Sequence, residues 1–407
     1  MDCEKLFQLE ESITKEVCLY GAGKYGQGWG MKIVTDLGFQ VSCYIDSKIS
    51  GKCNNIDVFN FDYLLKNKDK YFVFVTVGGN SGKEVCEILE NNGINDYYWL
   101  FEDGWFSEIP EYLENVKNES IRSRFDYFLN DKKYLEYRFV QERGYEFDID
   151  NPVTLNEKIQ WLKVNNRKDI YTLLADKYKV KNYFEENFGK EYVIPTLFVS
   201  DCVDDIKIEN MPDIPFVLKC NAGSGDVKII RDKSNVDWNY IKNHFSKCLK
   251  YNYYWMDREW CYKNIEPVIM AEKLLLTEDG KLPNDYKIHF LNGIPQFVYC
   301  SIDREGLNYR KMYNMEWKKL DFAWCSHTKG REVLNGPEID CPKTFDKMID
   351  IGKSIAKESP YVRVDFYDLD GKLYCGEVTF YHGGGYNRFD PEEYDRIFGE
   401  KLVLEGK

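Results

Sequence analysis

The stretch Tyr361–Phe380, YVRVDFYDLDGKLYCGEVTF, decides how this chain is read. It holds two β-rich runs joined by Leu369-Asp370-Gly371, a hairpin-turn signal. A three-residue loop with Gly371 in the left-handed region pairs Asp368 with Lys372, Arg363 with Glu377 and Asp365 with Cys375. Strand side chains alternate, so Arg363, Asp365, Glu377 and Thr379 then share one face. Val362, Val364, Phe366, Val378 and Phe380 take the other, which suits burial. Two carboxylates on diagonal cross-strand sites, roughly 7–8 Å apart at Cα, can converge on one metal ion. A two-residue loop would put Asp365 and Glu377 on opposite faces. The same residues also fit an edge hairpin with a solvated charged face.

Outward from that hairpin, composition sets the bounds. At 407 residues the chain is too long for one ordinary core, so two or three domains are expected. A hydrophobic content of 43% beside 30% charged residues describes a globular protein, and no apolar run approaches the roughly 20 residues that span a bilayer. The N-terminal MDCEKLFQLEESITKE lacks the basic-then-apolar pattern of a signal peptide, so a cytoplasmic location is expected. A net charge of -13 disfavours nucleic acid as a partner, because phosphate binding needs a basic field. The 13 cysteines contain no C-x-x-C pair, and Cys18, Cys43, Cys86, Cys220, Cys300 and Cys375 sit in apolar runs as small hydrophobes. With His244, His289, His327 and His382 as the only histidines, the sequence argues against a zinc site.

The first hundred residues alternate strand and helix, the pattern of a doubly wound α/β unit. Residues 105–150 turn to charged, aromatic helices and read as a connector. Thr154 and Glu157 then form a capping box at the start of a new helix. Strands dominate from Pro195 onward, interrupted by helices over Val236–Leu249 and Thr344–Lys357. The expected domains are 1–104, 105–150 and 151–407.

Two glycine-rich loops are candidates for binding a nucleotide. Gly21-Ala22-Gly23-Lys24-Tyr25-Gly26 is G-x-G-x-x-G between a strand and a helix, with Asp46 closing the next strand. There the loop can hold a pyrophosphate while Asp46 accepts from ribose hydroxyls, or the loop is simply a tight βα turn. The second, Asn221-Ala222-Gly223-Ser224-Gly225, links two strands and can fold over phosphates, with Lys219 supplying charge from the strand below. It is not a Walker loop, because the G-x-x-x-x-G-K-[ST] pattern is absent.

Taken together, Asp176-Lys177 at the opening of a helix, Lys219 before the glycine-rich hairpin, Val268–Leu275 (VIMAEKLL) and the final Arg363-x-Asp365 with Glu377 resemble the ATP-grasp superfamily. YRFVQERGYEFDIDNPVTLNEKIQWLKVNNR (Tyr137–Arg167), FVLKCNAGSG, DYKIHFLNG and GEVTFYHGGG resemble its teichuronopeptide-biosynthesis (TupA-like) branch. The resemblance spans about residues 120–400, and the first hundred residues are similar to small Rossmann-like domains. It implies an α/β and α+β chain, with a doubly wound Rossmann-like domain followed by an ATP-grasp fold. For ATP it implies contacts from Lys177, Lys219, Gly223, Ser224, Gly225 and the Lys273–Leu274 backbone, with Glu272 on the ribose. It places Mg2+ on Asp365 and Glu377, and catalytic charge on Arg363, Lys219 and Lys287. Gly21, Gly23, Gly26 and Asp46 are left as a second nucleotide site.

The implied reaction is ADP-forming amide synthesis from a carboxylate, expected to be a sugar uronic acid or nucleotide-sugar of a surface polysaccharide, and an amine or amino acid. Thr379 stands where many members carry a further metal-ligating Asn, which puts a second metal site in doubt. The rivals are a sugar or polyol kinase, an oxidoreductase using NAD(P) in the first domain, and a scaffold with an inactive ATP site.

Overall fold

In the computed structural model, which describes residues 3–102, 108–325 and 336–405, the early strand–helix alternation builds one twisted sheet. Its strands are β1 (Glu16–Tyr20), β2 (Val41–Ile45), β3 (Gly51–Cys53), β4 (Ile56–Phe59), β5 (Tyr71–Val75) and β6 (Tyr97–Trp99). They lie in the order β3-β4-β2-β1-β5-β6. All neighbours are parallel except β3, which returns antiparallel on the edge. The β3–β4 hairpin is not among the sequence expectations. It turns on Asn54 and Asn55, both at positive φ (51° and 62°), which asparagine tolerates better than most side chains.

The chain divides into two units, Met1–Tyr145 and Glu146–Lys407. Helices Glu108–Asn115, Glu119–Arg124 and Asp131–Arg143, from the stretch expected as a connector, pack within the first unit. Aromatic contacts hold them. The Trp29 ring lies 5.6 Å from Phe128, 5.2 Å from Tyr134 and 4.6 Å from Tyr137, and Phe7 packs on Tyr112 and Phe125 at 5.1 and 5.0 Å. His327 lies outside the described residues.

Among the described residues, the second unit contains two larger sheets and one short strand pair. The smaller one has β7 (Thr196–Ser200), β8 (Phe216–Cys220), β9 (Val227–Ile230) and β10 (Ile269–Lys273), ordered β7-β10-β8-β9. The larger is built from β11 (Asp285–Leu291), β12 (Ile294–Ile302), β13 (Tyr309–Tyr313), β14 (Lys319–Leu320), β16 (Tyr361–Leu369) and β17 (Lys372–Thr379), ordered β14-β13-β12-β11-β16-β17. A short pair, β15 (Ala323–Cys325) and β18 (Arg388–Asp390), lies apart from them in pairing. Helix Phe345–Ile355 buries Phe345, Met348, Ile351 and Ile355, an i, i+3, i+4 stripe, in the core shared with Val362, Val364 and Phe366. The expected capping box at Thr154 and Glu157 is present, and Ile159 and Leu162 behind it are buried.

The deciding hairpin differs from its expected register in an instructive way. Leu369 pairs with Lys372, so the loop is only Asp370-Gly371, with φ of 53° and 91°. Two successive positive φ values match the right-handed twist of a hairpin, and Asp-Gly meets them at low cost. Continued straight, that register would turn Glu377 to the core face. Instead Phe366 pairs with Cys375 while Val364 pairs with Val378, so Asp365 alone opposes Gly376 and Glu377. This β-bulge restores Glu377 to the face of Arg363 and Asp365.

Candidate active site

The small sheet supplies the first group of charges. Lys219 on β8 and Glu272 on β10 are diagonal neighbours on one sheet face, with Lys219 paired to Met270 and Glu272 to Val217. The Lys219 ammonium lies 2.5 Å from Glu272 Oε2, and Lys181 reaches Oε1 at 2.6 Å from helix Val180–Phe188. Burial raises the Glu272 carboxyl, but the charges of Lys219 and Lys181 outweigh it and hold the group below its usual range. Both Glu272 oxygens are thus engaged by ammonium groups, where the resemblance assigns the carboxylate to ribose. Lys181 is absent from the sequence expectations, although its position four residues after Lys177 is a signal.

The helix expected to open at Asp176 starts only at Val180. Asp176 instead accepts hydrogen bonds from the Tyr178 and Lys179 backbone N–H groups and from Asn221 Nδ2. This ties Lys177 to the glycine-rich hairpin. Its backbone N–H donates to Asn221 O at 3.1 Å, and its ammonium donates to Gly223 O.

The larger sheet supplies the second group. Lys287 on β11 pairs across the strands with Asp365, and His289 with Arg363. The Lys287 ammonium donates to Asp285 at 2.6 Å and also to Asp365. Arg363 spreads its fork over the rest. Nε donates to Asp365 Oδ1 at 2.6 Å, Nη2 to Asp365 Oδ2 at 2.8 Å and to Glu377 Oε1 at 2.6 Å, and Nη1 to His382 Nδ1 at 2.8 Å. Burial raises Glu377, yet Lys177, Arg363, Lys287 and Lys219 bring it down to about 2. Burial lowers Lys287, but Asp285 and Asp365 hold it above its usual value. His289 is buried against Phe297 at 4.4 Å, with Nδ1 3.0 Å from the Tyr361 hydroxyl.

Both groups face one cleft of about 920 Å³, counting its open mouth. It is lined by Lys177, Lys219, Ser224, Gly225, Glu272, Lys273, Leu274, Lys287, Asp365 and Glu377, all singled out in the sequence, and by Asp285, Arg304 and Tyr367, to which the sequence reading assigns no role. Gly223 lies beside it at φ 83°, where an added Cβ would meet the Tyr253 ring at 2.6 Å. Val217, Val227 and Ile229 form an apolar wall, the kind of surface that accepts a flat aromatic base while a few polar groups fix its orientation. Asp365 and Glu377 present oxygens held against the same arginine nitrogen, and hard carboxylate oxygens in such proximity fit Mg2+.

Below the Arg363 fork, Gly383, Gly384 and Gly385 run consecutively at φ 56°, 62° and 70°. Gln160 and Lys163 donate to Gly384 O at 2.9 and 2.7 Å. Buried Glu259 is pushed up to about 8 by burial, with Lys163, Arg363 and Lys177 among the charges acting on it. No motif in the sequence marks Glu259.

In the first unit, the glycine fingerprint divides its labour. Gly21 takes φ 111° at the turn, and a Cβ on Gly26 would lie 1.8 Å from Gly21 O, so Gly26 allows the helix to approach the strand. Around Gly23 nothing lies within 4 Å of an added Cβ. Asp46 accepts from the backbone N–H groups of Ala22, Lys48 and Ile49 at 2.8, 2.8 and 2.9 Å, so its carboxylate joins the β1 and β2 loops. Burial raises it, and these bonds with Lys48 bring it below its usual value.

Against known proteins, residues 157–403 match the model of the family described as TupA-like ATPgrasp. No curated protein matches the chain. Among solved structures, D-alanine–D-alanine ligase from Bacillus anthracis complexed with ATP is 12% identical, with 96% of each chain covered and a TM-score of 0.32. The Helicobacter pylori D-alanine–D-alanine ligase is 13% identical, covering 57% of this chain and 62% of that one, with a TM-score of 0.32. N5-carboxyaminoimidazole ribonucleotide synthetase from Thermus thermophilus is 9% identical over 89% of this chain and 71% of that one, with a TM-score of 0.27.

Proposed function

Because the chain belongs to the TupA-like ATP-grasp family, we propose that it is an ATP- and Mg2+-dependent carboxylate–amine ligase acting on a surface-polysaccharide component. A sugar uronic acid, free or nucleotide-linked, is the favoured carboxylate, and an amino acid or small amine its partner. The observation that carries the chemistry is the gathering of Lys177, Lys219 and Lys287 with Asp365 and Glu377 along one cleft, both carboxylates being held by the buried Arg363. A carboxylate is a poor electrophile toward an amine, so it is first activated by taking the γ-phosphoryl group of ATP, and the amine then displaces phosphate from the acyl phosphate. Both ATP and the acid are anionic, and the reacting centre needs positive charge fixed where new charge develops.

The residues divide this work. Lys177 and Lys219 reach the phosphates from beneath the hairpin, and Glu272 keeps Lys219 and Lys181 in place. The Lys273–Leu274 backbone borders the base. Asp365 and Glu377 would hold Mg2+, which when bound would neutralise phosphate charge. Arg363, clamped by two carboxylates, and Lys287 face the transferring group. The Asn221–Gly225 hairpin, bonded to Lys177, keeps water from the acyl phosphate. Gly21, Gly23 and Gly26 of the first unit serve a nucleotide or nucleotide-sugar, and the open space above Gly23 supports that reading.

The test is ADP release from ATP and Mg2+ across uronic acids crossed with amines, with Asp365→Asn as control. Release that requires both partners and disappears in the variant is expected. Release with an alcohol-bearing sugar alone, leaving a stable phosphate ester, would replace the ligase with a kinase.

A further inference from the structure

Asp226 follows the glycine-rich hairpin directly, and its carboxylate meets two side chains from helix Trp238–Lys250. His244 and Cys248 stand one helical turn apart on that helix, so both can address a single point. One ligand atom from each of the three lies within 4.8 Å of the others, and His244 Nε2 is 3.5 Å from Asp226 Oδ1. Tetrahedral zinc places two N or O ligands about 3.3 Å apart, and sulfur about 3.6 Å from either. The His244–Asp226 separation matches that spacing, and the Cys248 sulfur lies within 4.8 Å of both.

A second observation points into the same space. His244 Nε2 is buried and has no hydrogen-bond partner among the described residues, although it faces Asp226. A bound cation would displace the Cys248 proton to solvent and take the thiolate as ligand.

We propose that Asp226, His244 and Cys248 form a Zn2+ site that fixes the root of the hairpin covering the ATP cleft. One carboxylate, one imidazole and one thiolate suit a borderline-soft cation with a tetrahedral preference, and leave the fourth position to water. The hairpin is coupled to the cleft on its other side through the Lys177–Gly223 contact, so zinc at Asp226 restrains the segment that must open and close over nucleotide. A scarcity of histidines argues against zinc at the level of sequence. The fold overrides that argument by bringing a loop carboxylate to a helix that carries the other two ligands.

Cobalt titration of the full chain tests the site without relying on activity. One equivalent of Co2+ should bind with a near-ultraviolet thiolate-to-metal band, and Zn2+ should displace it. Cys248→Ser should abolish the band, and His244→Gln should weaken Zn2+ binding by at least the roughly 10–100-fold that loss of even an outer partner costs. Should a variant fold poorly, alkylation of Cys248 in the unaltered chain provides the check, because Zn2+ should protect it. Zn2+ should also slow hydrogen exchange over residues 221–226. No stoichiometric binding, or binding unaffected by both substitutions, overturns the site, and binding without hairpin protection overturns its coupling to the lid.

Discussion

Replacing Glu272 with glutamine removes the one charge that Lys181 and Lys219 share. Both ammonium groups are largely buried, with 11% and 14% of their side chains exposed, and they lie 2.6 and 2.5 Å from the two oxygens. Removing one partner of a buried ionic group costs about 3–5 kcal/mol, and the low end applies because glutamine keeps one acceptor. Each kcal/mol lowers the melting temperature by roughly 2–4 °C in a domain of this size, so a fall of about 6–12 °C is expected. Nucleotide should partly reverse it. The freed cations gain by meeting phosphates, and a ligand at 100 times its Kd contributes about 2.7 kcal/mol. The assay is thermal unfolding of both proteins with and without a non-hydrolysable ATP analogue. The analogue should raise the melting temperature of Glu272→Gln more than that of the unaltered chain. A variant melting within about 2 °C of the original would refute the view that Glu272 anchors the lysines. An unchanged ligand shift would refute their role toward phosphate.

Three further outcomes are expected. In the first unit, Gly26→Ala forces a Cβ against Gly21 O and should cost about 1–3 kcal/mol, whereas Gly23→Ala should leave melting unchanged and abolish any nucleotide-induced shift of that unit. Arg363→Lys cannot reproduce the fork that spans Asp365, Glu377 and His382, so kcat for ADP release should fall by about 10²–10³ with a smaller change in the KM for ATP. Burial holds His289 and His382 well below their usual pKa, with Arg363 and Lys287 adding to it, so both are neutral in the fold. Their stabilisation is complete above the unfolded-state value, near 6.5, and is lost as pH falls below it. Urea unfolding between about pH 7.5 and 5.5 should show stability dropping by about 1.4 kcal/mol in total for each histidine, and His289→Phe should halve that drop.

Much of the cleft was legible because its residue types are set by local pattern. The β16–β17 faces follow from strand alternation, and the box at Thr154 from side chains three residues apart. Lys219, Lys287, Asp365 and Glu377, singled out in the sequence, line one cleft. What escaped depends on geometry that has no fixed spacing. The bulge at Gly376 compensates for the two-residue turn at Asp370-Gly371, and neither strand's own pattern reveals it, because a bulge exists only in the pairing between strands. Lys181 escaped because the helix begins at Val180 and not at Asp176, which decides what its side chain can reach. Asp285 and Glu259 act through burial, and burial is decided by elements distant in sequence. Asn54-Asn55 was a readable turn signal, but its flanking strands are too short to show alternation.

Cations outnumber carboxylates along the cleft walls, with Lys177, Lys219, Lys273, Lys287 and Arg304 against Glu272, Asp285, Asp365 and Glu377, while the whole chain carries -13. An approaching nucleotide therefore travels against the molecule's long-range field and is attracted only at close range. The Debye length near physiological salt is about 8 Å, which suppresses the distant repulsion but scarcely touches contacts inside the cleft. Added salt should then speed encounter, the reverse of an electrostatically steered enzyme. Residence, set by the enclosed ion pairs, should change far less.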